Sequence, residues 1–301
     1  TQATFGANQA AIDDLMGRLG GDYARWIDEQ LSIPVATPSY YDYVAPATPA
    51  SPASLFGLFW WRATYGHDQL RQRLAFALSQ IFVTSADLRF FPEYRQTTAA
   101  SYYDMLTNGA FGSYRALLED VTFHPYMGMY LNTLRNQKES ASSIPDQNYA
   151  REVMQLFSIG LHELNINGTV RRDNQGAPLS AYSNVDIEGL SRVFTGLGWD
   201  INGNFFSDCG IRSHDVCNNK PMKSFPAFHS TQEKRFLGLT IPLRSGVDNL
   251  SGMSGDLQQA LNRIASHENV APFISRRLIQ QFVTSNPTRE YVARVAQVFV
   301  A

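Results

Sequence analysis

Hydrophobic positions recur at helical spacing through most of this chain. Between residues 67 and 83, Leu70, Leu74, Leu78 and Ile81 follow one another at intervals of three or four, which predicts a helix and the longest one in the protein. The same periodicity predicts further helices over 8–19, 22–31, 92–106, 113–121, 125–134, 148–160, 183–197, 256–266, 270–283 and from 287 onward. We therefore expect a mainly α protein: an irregular multi-helix single domain covering 1–301.

Polar and turn-forming segments interrupt this helical pattern. The Gly20-Gly21 pair separates the first two helices, which predicts an N-terminal helical hairpin over 1–33. Five prolines and three tyrosines (Tyr40, Tyr41 and Tyr43) fall in 34–52, which reads as an irregular loop whose rings either bind a flat ligand or anchor the loop. Asn167-Gly168 indicates a hairpin within 161–182, and 200–255 reads as a loop-rich subregion with short strands.

The two ends of the sequence suggest that it is part of a longer protein. The last predicted helix reaches Ala301 without a stop signal, so we expect the C-terminus to be truncated. The chain begins at Thr1 without a charged and apolar leader, so any export signal has been removed or lies outside this sequence.

The charge and hydropathy of the chain exclude two kinds of partner, nucleic acid and a membrane that the chain would span. The net charge is −2, with 25 basic and 27 acidic residues and no cationic run, so we expect no nucleic-acid partner. The longest apolar run, 55–61, is far shorter than the roughly 20 residues that cross a bilayer, so we expect no membrane span. Only four basic residues are lysines, and the many arginines favour internal ion pairs with carboxylates.

Two patterns raise the question of cross-links and metals. Cys209 and Cys217, the only cysteines, lie in a polar loop and are predicted to form a disulfide, which implies an oxidising compartment. The alternative is a zinc site that combines both cysteines with His214 and His229, although the spacing is not a standard one. A calcium loop on Asn165, Asn167 and Asp173 is a weaker alternative, because it would carry a single carboxylate.

The helix over 148–160 contains the most informative charged residue, Glu152. On a helical wheel its carboxylate falls between Leu156 and Ile159 rather than on the solvent side with Arg151 and Gln155. Burial disfavours the charged form, so Glu152 is either a general acid or base with a raised pKa or a structural carboxylate satisfied by a cation or by several donors.

Several long segments resemble one bacterial family, the domain-of-unknown-function family numbered eighteen hundred. The two strongest are 148–160 (NYAREVMQLFSIG) and 186–199 (DIEGLSRVFTGLGW). The others are 3–6 (ATFG), 26–31 (WIDEQL), 228–229 (FH) with 234–238 (KRFLG), and 273–282 (FISRRLIQQF). The resemblance spans nearly the whole chain and implies a mainly helical exported protein, secreted or periplasmic.

The resemblance also implies a partner and reveals two departures. Members of this family are often encoded beside a second exported family similar to sulfatases and phosphatases, which implies a partner protein of that kind. In this chain AFALSQ at 75–80 replaces a Trp-His-rich stretch, and Gln155 stands where a second acid is frequent. These departures weaken any scheme that needs a histidine cluster or a carboxylate pair there.

The enzyme hypothesis assigns Glu152 as general acid or base, with Asn148 one turn earlier, Arg151 orienting charge, and His229 from the FH segment. This set suits hydrolysis or elimination on an extracellular polymer such as a polysaccharide, which needs no organic cofactor or metal. The second carboxylate is left open among Asp186, Glu188 and Asp215.

The rival hypothesis is a non-catalytic binding or scaffold protein. In it, Arg151 and Glu152 tie helices together, and His229 is buried and hydrogen-bonded. The sequence shows no nucleophile elbow, phosphate-binding loop, dinucleotide fingerprint or zincin motif that would favour another enzyme class.

Overall fold

A computed structural model describes residues 2–6, 8–46, 52–85, 95–201, 204–207, 209, 217 and 219–300. Helices dominate this part of the chain, which confirms the predicted mainly α fold. The chain divides into two compact units, residues 1–117 and 118–301, and helix α7 (Tyr114–Phe123) carries the boundary. No helix in the described ranges combines the length and hydropathy that a membrane span requires.

Within the described residues of the first unit, six helices precede α7. They are α1 (Gln9–Gly17), α2 (Tyr23–Ser32), α3 (Tyr40–Val44), α4 (Pro52–Tyr65), α5 (Gln69–Ser79) and α6 (Arg95–Gly109). Asn8 and Asp22 cap the first two helices by accepting hydrogen bonds from backbone N–H groups, and Gly20 and Gly21 take positive φ between them. The predicted start of α6 at residues 92–94 lies outside the described residues.

The segment 34–52 contains a helix, α3, rather than being irregular throughout. The Asp104 carboxylate of α6 accepts hydrogen bonds from the Tyr40 and Tyr41 backbone N–H groups, both at 2.8 Å, and so fixes the start of α3. The Tyr40 ring is fully buried with Val44, Leu58 and Ala100. Tyr40 therefore anchors this segment on the domain.

Helix α5 is shorter than the periodicity predicts. It ends at Ser79, because the backbone N–H groups of Gln80 and Ile81 bond to carbonyls three residues earlier and tighten the chain into a turn. The longest described helix lies instead in the second unit, at Leu250–Ala265.

The second unit contains the remaining helices and all the described strands. The helices are α8 (Pro125–Tyr130), α9 (Asn148–Gln155), α10 (Asn184–Val193), α11 (Leu250–Ala265), α12 (Val270–Phe282) and α13 (Arg289–Val300). The strands are β1 (Leu197–Gly198), β2 (Lys223–Ser224), β3 (Lys234–Phe236) and β4 (Leu239–Ile241), with a 3₁₀ turn at Pro226–Phe228. β1 pairs antiparallel with β2, and β3 with β4.

Helix α10 lies directly on strand β3. Gly189 makes this approach possible, because a Cβ atom at this position would stand 1.9 Å from the carbonyl oxygen of Arg235. The predicted capping box is present at the start of α10, where the Asp186 carboxylate accepts from the Ser183 backbone N–H.

The insertion at 161–182 is a hairpin, as predicted. Isolated bridges join His162 to Ser180, Leu164 to Val170, and Arg172 to Pro178. The oxygens proposed for calcium take part in its turns: Asn167 Oδ1 accepts from Thr169, and Asp173 Oδ1 accepts from two backbone N–H groups. The calcium alternative therefore loses its ligands to turn formation.

Candidate functional site

Helix α9 presents an apolar face to the core and a polar face at its edge. Tyr149, Ala150, Val153 and Met154 are buried, and the Tyr149 hydroxyl lies 2.7 Å from Thr122 Oγ1. The polar face consists of Asn148, Arg151, Glu152 and Gln155, all half-buried. The spacing of three and four residues places them along one side of the helix. The predicted position of Glu152 between Leu156 and Ile159, apart from Arg151 and Gln155, is therefore wrong, because the helix ends at Gln155 rather than at Gly160.

Glu152 occupies a setting that favours its neutral form. Its Oε2 atom is shielded from solvent and has no hydrogen-bond partner among the described residues. Burial raises the pKa of the Glu152 carboxyl, while the charge of Arg151 acts in the opposite direction. A carboxyl group of this kind retains its proton to a higher pH than an exposed glutamate and can donate it.

The neighbours of Glu152 are polar and fixed. The Asn148 backbone N–H donates to Asp146 Oδ1 at 2.8 Å, which holds the start of α9. The Tyr182 hydroxyl, from the end of the hairpin, donates to Gln155 Oε1 at 3.3 Å. Both Arg151 and Glu152 act electrostatically on Tyr182, so this ring lies close to the polar face of α9.

His229 lies in a different and fully buried environment. Its Nδ1 is 2.9 Å from the carbonyl oxygen of Thr195, and its Nε2 is 3.1 Å from Asp256 Oδ2. A carbonyl oxygen only accepts, so Nδ1 donates to Thr195, and Nε2 faces the Asp256 carboxyl. With no exposed surface, the ring is held by the protein on both sides.

A buried charged network surrounds His229 and consists of His229, Lys234, Arg244, Asp248 and Asp256. Asp256, from α11, is its hub: it accepts from Lys234 Nζ at 2.8 Å and from both terminal nitrogens of Arg244 at 2.8 Å. Arg244 also binds Asp248 at 2.6 Å. Bidentate arginine contacts of this kind fix geometry as well as charge.

The surroundings of Asp256 and Lys234 shift the pKa of each group. Burial alone would raise the pKa of Asp256, but hydrogen bonds from His229, Arg244 and Lys234 outweigh it and hold the pKa well below its usual value. Burial lowers the pKa of Lys234, and the Asp256 contact opposes this. The side chain of Arg244 is 29% exposed, whereas those of the other four are at most 2% exposed.

The charged network has the donor types of a metal site but satisfies them internally. His229, Asp248 and Asp256 each offer a ligand atom within 4.8 Å of the others. The two carboxylates, however, already bind two fixed cations, Lys234 and Arg244. A metal ion would have to displace these cations, so the geometry fits an ion-pair network better than a metal centre.

The structure resolves the cysteine question. Cys209 and Cys217 form a disulfide, as predicted, and both are fully buried. The zinc alternative needs both thiolates and is therefore wrong. Of its two proposed histidine ligands, His229 lies in the charged network and His214 lies outside the described residues.

The candidates for a second carboxylate differ in environment. Burial raises the pKa of Asp186, but bonds from Ser183 and the Leu237 backbone outweigh it and lower the pKa, so this group is held as a capping carboxylate. Glu188 is exposed and lines a cavity of about 290 Å³ with Arg192 and Arg235. Asp215 lies outside the described residues.

Sequence reasoning missed four of the five members of the charged network. One signal was available: Lys234 is one of only four lysines and stands in the segment 234–238, close in sequence to His229. Nothing in the sequence placed Arg244, Asp248 and Asp256 against them, because these contacts depend on how α11 packs.

The mainly helical fold, the polar face of α9 and the charged network define a helical protein with a half-buried carboxyl group of raised pKa on α9 and a buried ionic core. The chain belongs to the family described as Protein of unknown function (DUF1800), whose model matches residues 1–301. No curated protein and no solved structure matches the chain.

Proposed function

We propose that this protein is an exported, secreted or periplasmic enzyme that cleaves an extracellular polymer such as a polysaccharide, with Glu152 as its general acid. The observation that supports this proposal is the state of the Glu152 carboxyl: half-buried, raised in pKa and without a hydrogen bond to Oε2. A positioned proton donor is what hydrolysis or elimination at a glycosidic oxygen requires.

In this proposal Glu152 gives its proton to the leaving oxygen as the bond from carbon to oxygen breaks. A water molecule then adds its oxygen to that carbon, and the proton that this water releases restores the acid form of Glu152. Arg151, the neighbouring cation, stabilises the carboxylate that forms, and Asn148 orients the substrate from the same helix face. His229 takes no part in proton transfer, because its ring is sealed and both nitrogens face protein acceptors. We assign His229 to the charged network instead.

The test compares Glu152→Gln with wild type on a panel of neutral and acidic polysaccharides, with release of reducing ends or unsaturated products as the readout. Glutamine keeps the size of the side chain and removes its acid, so we expect activity to fall by about 10²–10⁴-fold. The matched control is Glu290→Gln, an exposed position on α13.

Thermal stability separates loss of chemistry from loss of structure. Because the folded-state pKa of Glu152 is raised, ionisation destabilises the folded state, and this cost is present above the folded pKa and absent below the unfolded one. Glu152→Gln should therefore not lower Tm at pH 7. Unchanged activity, or a fall in Tm that is equal at pH 4 and pH 7, would contradict the proposal.

A second candidate function, a non-catalytic binding protein, is favoured by an exposed aromatic face on α4. Phe56, Trp60, Trp61 and Tyr65 are each more than half exposed. Aromatic rings of this kind stack on sugar rings or on a partner protein, such as the exported sulfatase-like or phosphatase-like protein that the family resemblance implies. In the same panel, polymer retention that depends on Trp60 and Trp61 but not on Glu152 would favour this function.

A further inference from the structure

A cavity of about 270 Å³ lies where the hairpin at 161–182 meets α12. Its walls come from two segments that the sequence singled out separately, 148–160 and 273–282. Ile159 and Gly160 contribute from the first segment, and Phe273, Arg276 and Arg277 from the second. The hairpin adds His162 and several apolar side chains.

The cavity is held open by fixed contacts. Asn269, which is fully buried, donates to the carbonyl oxygens of Ile159 at 3.0 Å and His162 at 2.8 Å, and accepts from the Leu164 backbone N–H at 2.9 Å. Gly160 has a φ of +78°, and a Cβ atom there would stand 2.9 Å from the Phe273 ring. The backbone therefore turns at Gly160, and the Phe273 ring packs closely against this turn.

The charged side chains that line the cavity are arginines. Arg277 Nε and His162 Nδ1 are shielded from solvent, and neither has a hydrogen-bond partner among the described residues. Arg276 is exposed beside them, and the described lining residues include no aspartate or glutamate. Two guanidinium groups without a lining carboxylate form a positive pocket.

The apolar part of the lining limits the shape of the ligand that can bind. The Arg277 guanidinium lies over the Phe273 ring at 4.7 Å, which orients its donors beside an aromatic face. Leu161, Leu164 and Val170 complete an apolar wall. The volume is slightly below the range of about 300–1,000 Å³ for ligand pockets, which limits the occupant to about one ring.

We propose that this cavity binds a carboxylate carried on a single ring, as in a uronic acid, with Arg276 and Arg277 on the carboxylate and Phe273 beside the ring. Arginine is the side chain best suited to planar, bidentate recognition of a carboxylate. The inference goes beyond the proposed catalytic role and does not depend on Glu152. The same chemistry is offered by a free acid and by an acidic unit of a polymer.

The test is isothermal titration calorimetry on the full chain with glucuronate, polygalacturonate, glucose and sulfate. We expect glucuronate or polygalacturonate to bind, and glucose, which lacks the carboxylate, to bind at least about tenfold more weakly. Glucuronate binding would assign a free acid, and binding of polygalacturonate alone would assign an acidic polymer. Both results support the proposal.

Three variants locate the binding. Arg276→Gln removes an exposed cation and should fold normally, and Arg277→Lys keeps the charge but removes the planar fork. Each should weaken carboxylate binding about tenfold or more, whereas Arg289→Gln, an equal change of charge at an exposed position outside the cavity, should not.

Several outcomes would overturn the inference: no binding of either carboxylate, equal binding of glucose, binding of sulfate alone, or unchanged affinity in Arg276→Gln. Circular dichroism of each variant checks that it is folded. Binding is measured without turnover, so failure here is distinct from failure of the catalytic proposal, which concerns only Glu152.

Discussion

Glu152 and Asp256 show how position decides the chemistry of a carboxyl group. Glu152 has a shielded oxygen without a donor, and burial raises its pKa. Asp256 is more deeply buried, yet three donors surround it and its pKa is lowered. Desolvation therefore dominates the pKa of Glu152 and hydrogen bonding dominates that of Asp256, which is why we propose proton donation for Glu152 and a structural, charged role for Asp256.

We predict that Asp256→Asn lowers the free energy of unfolding by about 3–5 kcal/mol at neutral pH, because it leaves Lys234 and Arg244 without their shared anion. The folded pKa of Asp256 is depressed, so its stabilisation is present above the unfolded pKa of about 3.9 and is lost as pH falls toward the folded value. The difference from wild type should therefore shrink in acid. Urea unfolding across pH 2–7 measures it.

Asp28→Asn, an exposed change on α2, is the control for that series and should have little effect at any pH. Parallel pH profiles for wild type and Asp256→Asn would contradict the assigned role of Asp256.

At the scale of elements, the contact between α10 and β3 depends on a missing side chain. We predict that Gly189→Ala lowers the free energy of unfolding by about 1–3 kcal/mol or more, because the new Cβ would meet the Arg235 carbonyl, which is fixed in the β3 and β4 pair. Chemical denaturation measures the change.

Gly255→Ala on α11 is the matched control, since a Cβ there meets nothing within 4 Å. This substitution should be neutral or stabilising by about 0.5–1 kcal/mol, because alanine favours the helix. Equal effects of the two substitutions would show that α10 and β3 are not packed as described.

The sequence predicted most helices, because each follows a local apolar period, and it predicted the hairpin from Asn167-Gly168. It placed the start of α11 at Asp256, six residues late. Gly252 and Gly255 resemble loop residues, whereas Asn249 accepts from the Gly252 backbone N–H and begins the helix at Leu250. Because of this shift, the sequence did not predict the charged network. Asp248 and Asp256 lie on either side of the actual start of α11 at Leu250.

At the scale of the whole molecule, the disulfide between Cys209 and Cys217 contributes to the stability of the fold, and such a bond persists in an oxidising compartment. We predict that reduction lowers the free energy of unfolding by about 2–3 kcal/mol, the value for a short loop; the two cysteines are eight residues apart. Urea unfolding with and without reductant measures this.

Thiol titration of the denatured protein gives the control: no thiols before reduction and two afterwards. Two free thiols in protein recovered from an oxidising compartment would contradict the pairing. The predicted result supports an exported location, where such bonds persist.

Contacts between distant segments account for what the sequence could not predict at this scale. Glu152 could be nominated from the wheel of a single helix. The cavity at α12 could not, because it needs 148–160 and 273–282 to meet through Asn269. Local periodicity contains no information about which buried segments become neighbours.

The shared hub of the charged network constrains how this protein can evolve. Loss of Asp256 leaves Lys234 without its carboxylate and Arg244 with Asp248 alone, and loss of Arg244 leaves Asp248 without its arginine, so we expect single replacements at these positions to be destabilising. Lineages can leave this arrangement only by exchanging several members together, for instance for apolar side chains of similar volume. Among relatives, these positions should accordingly covary as one inherited block.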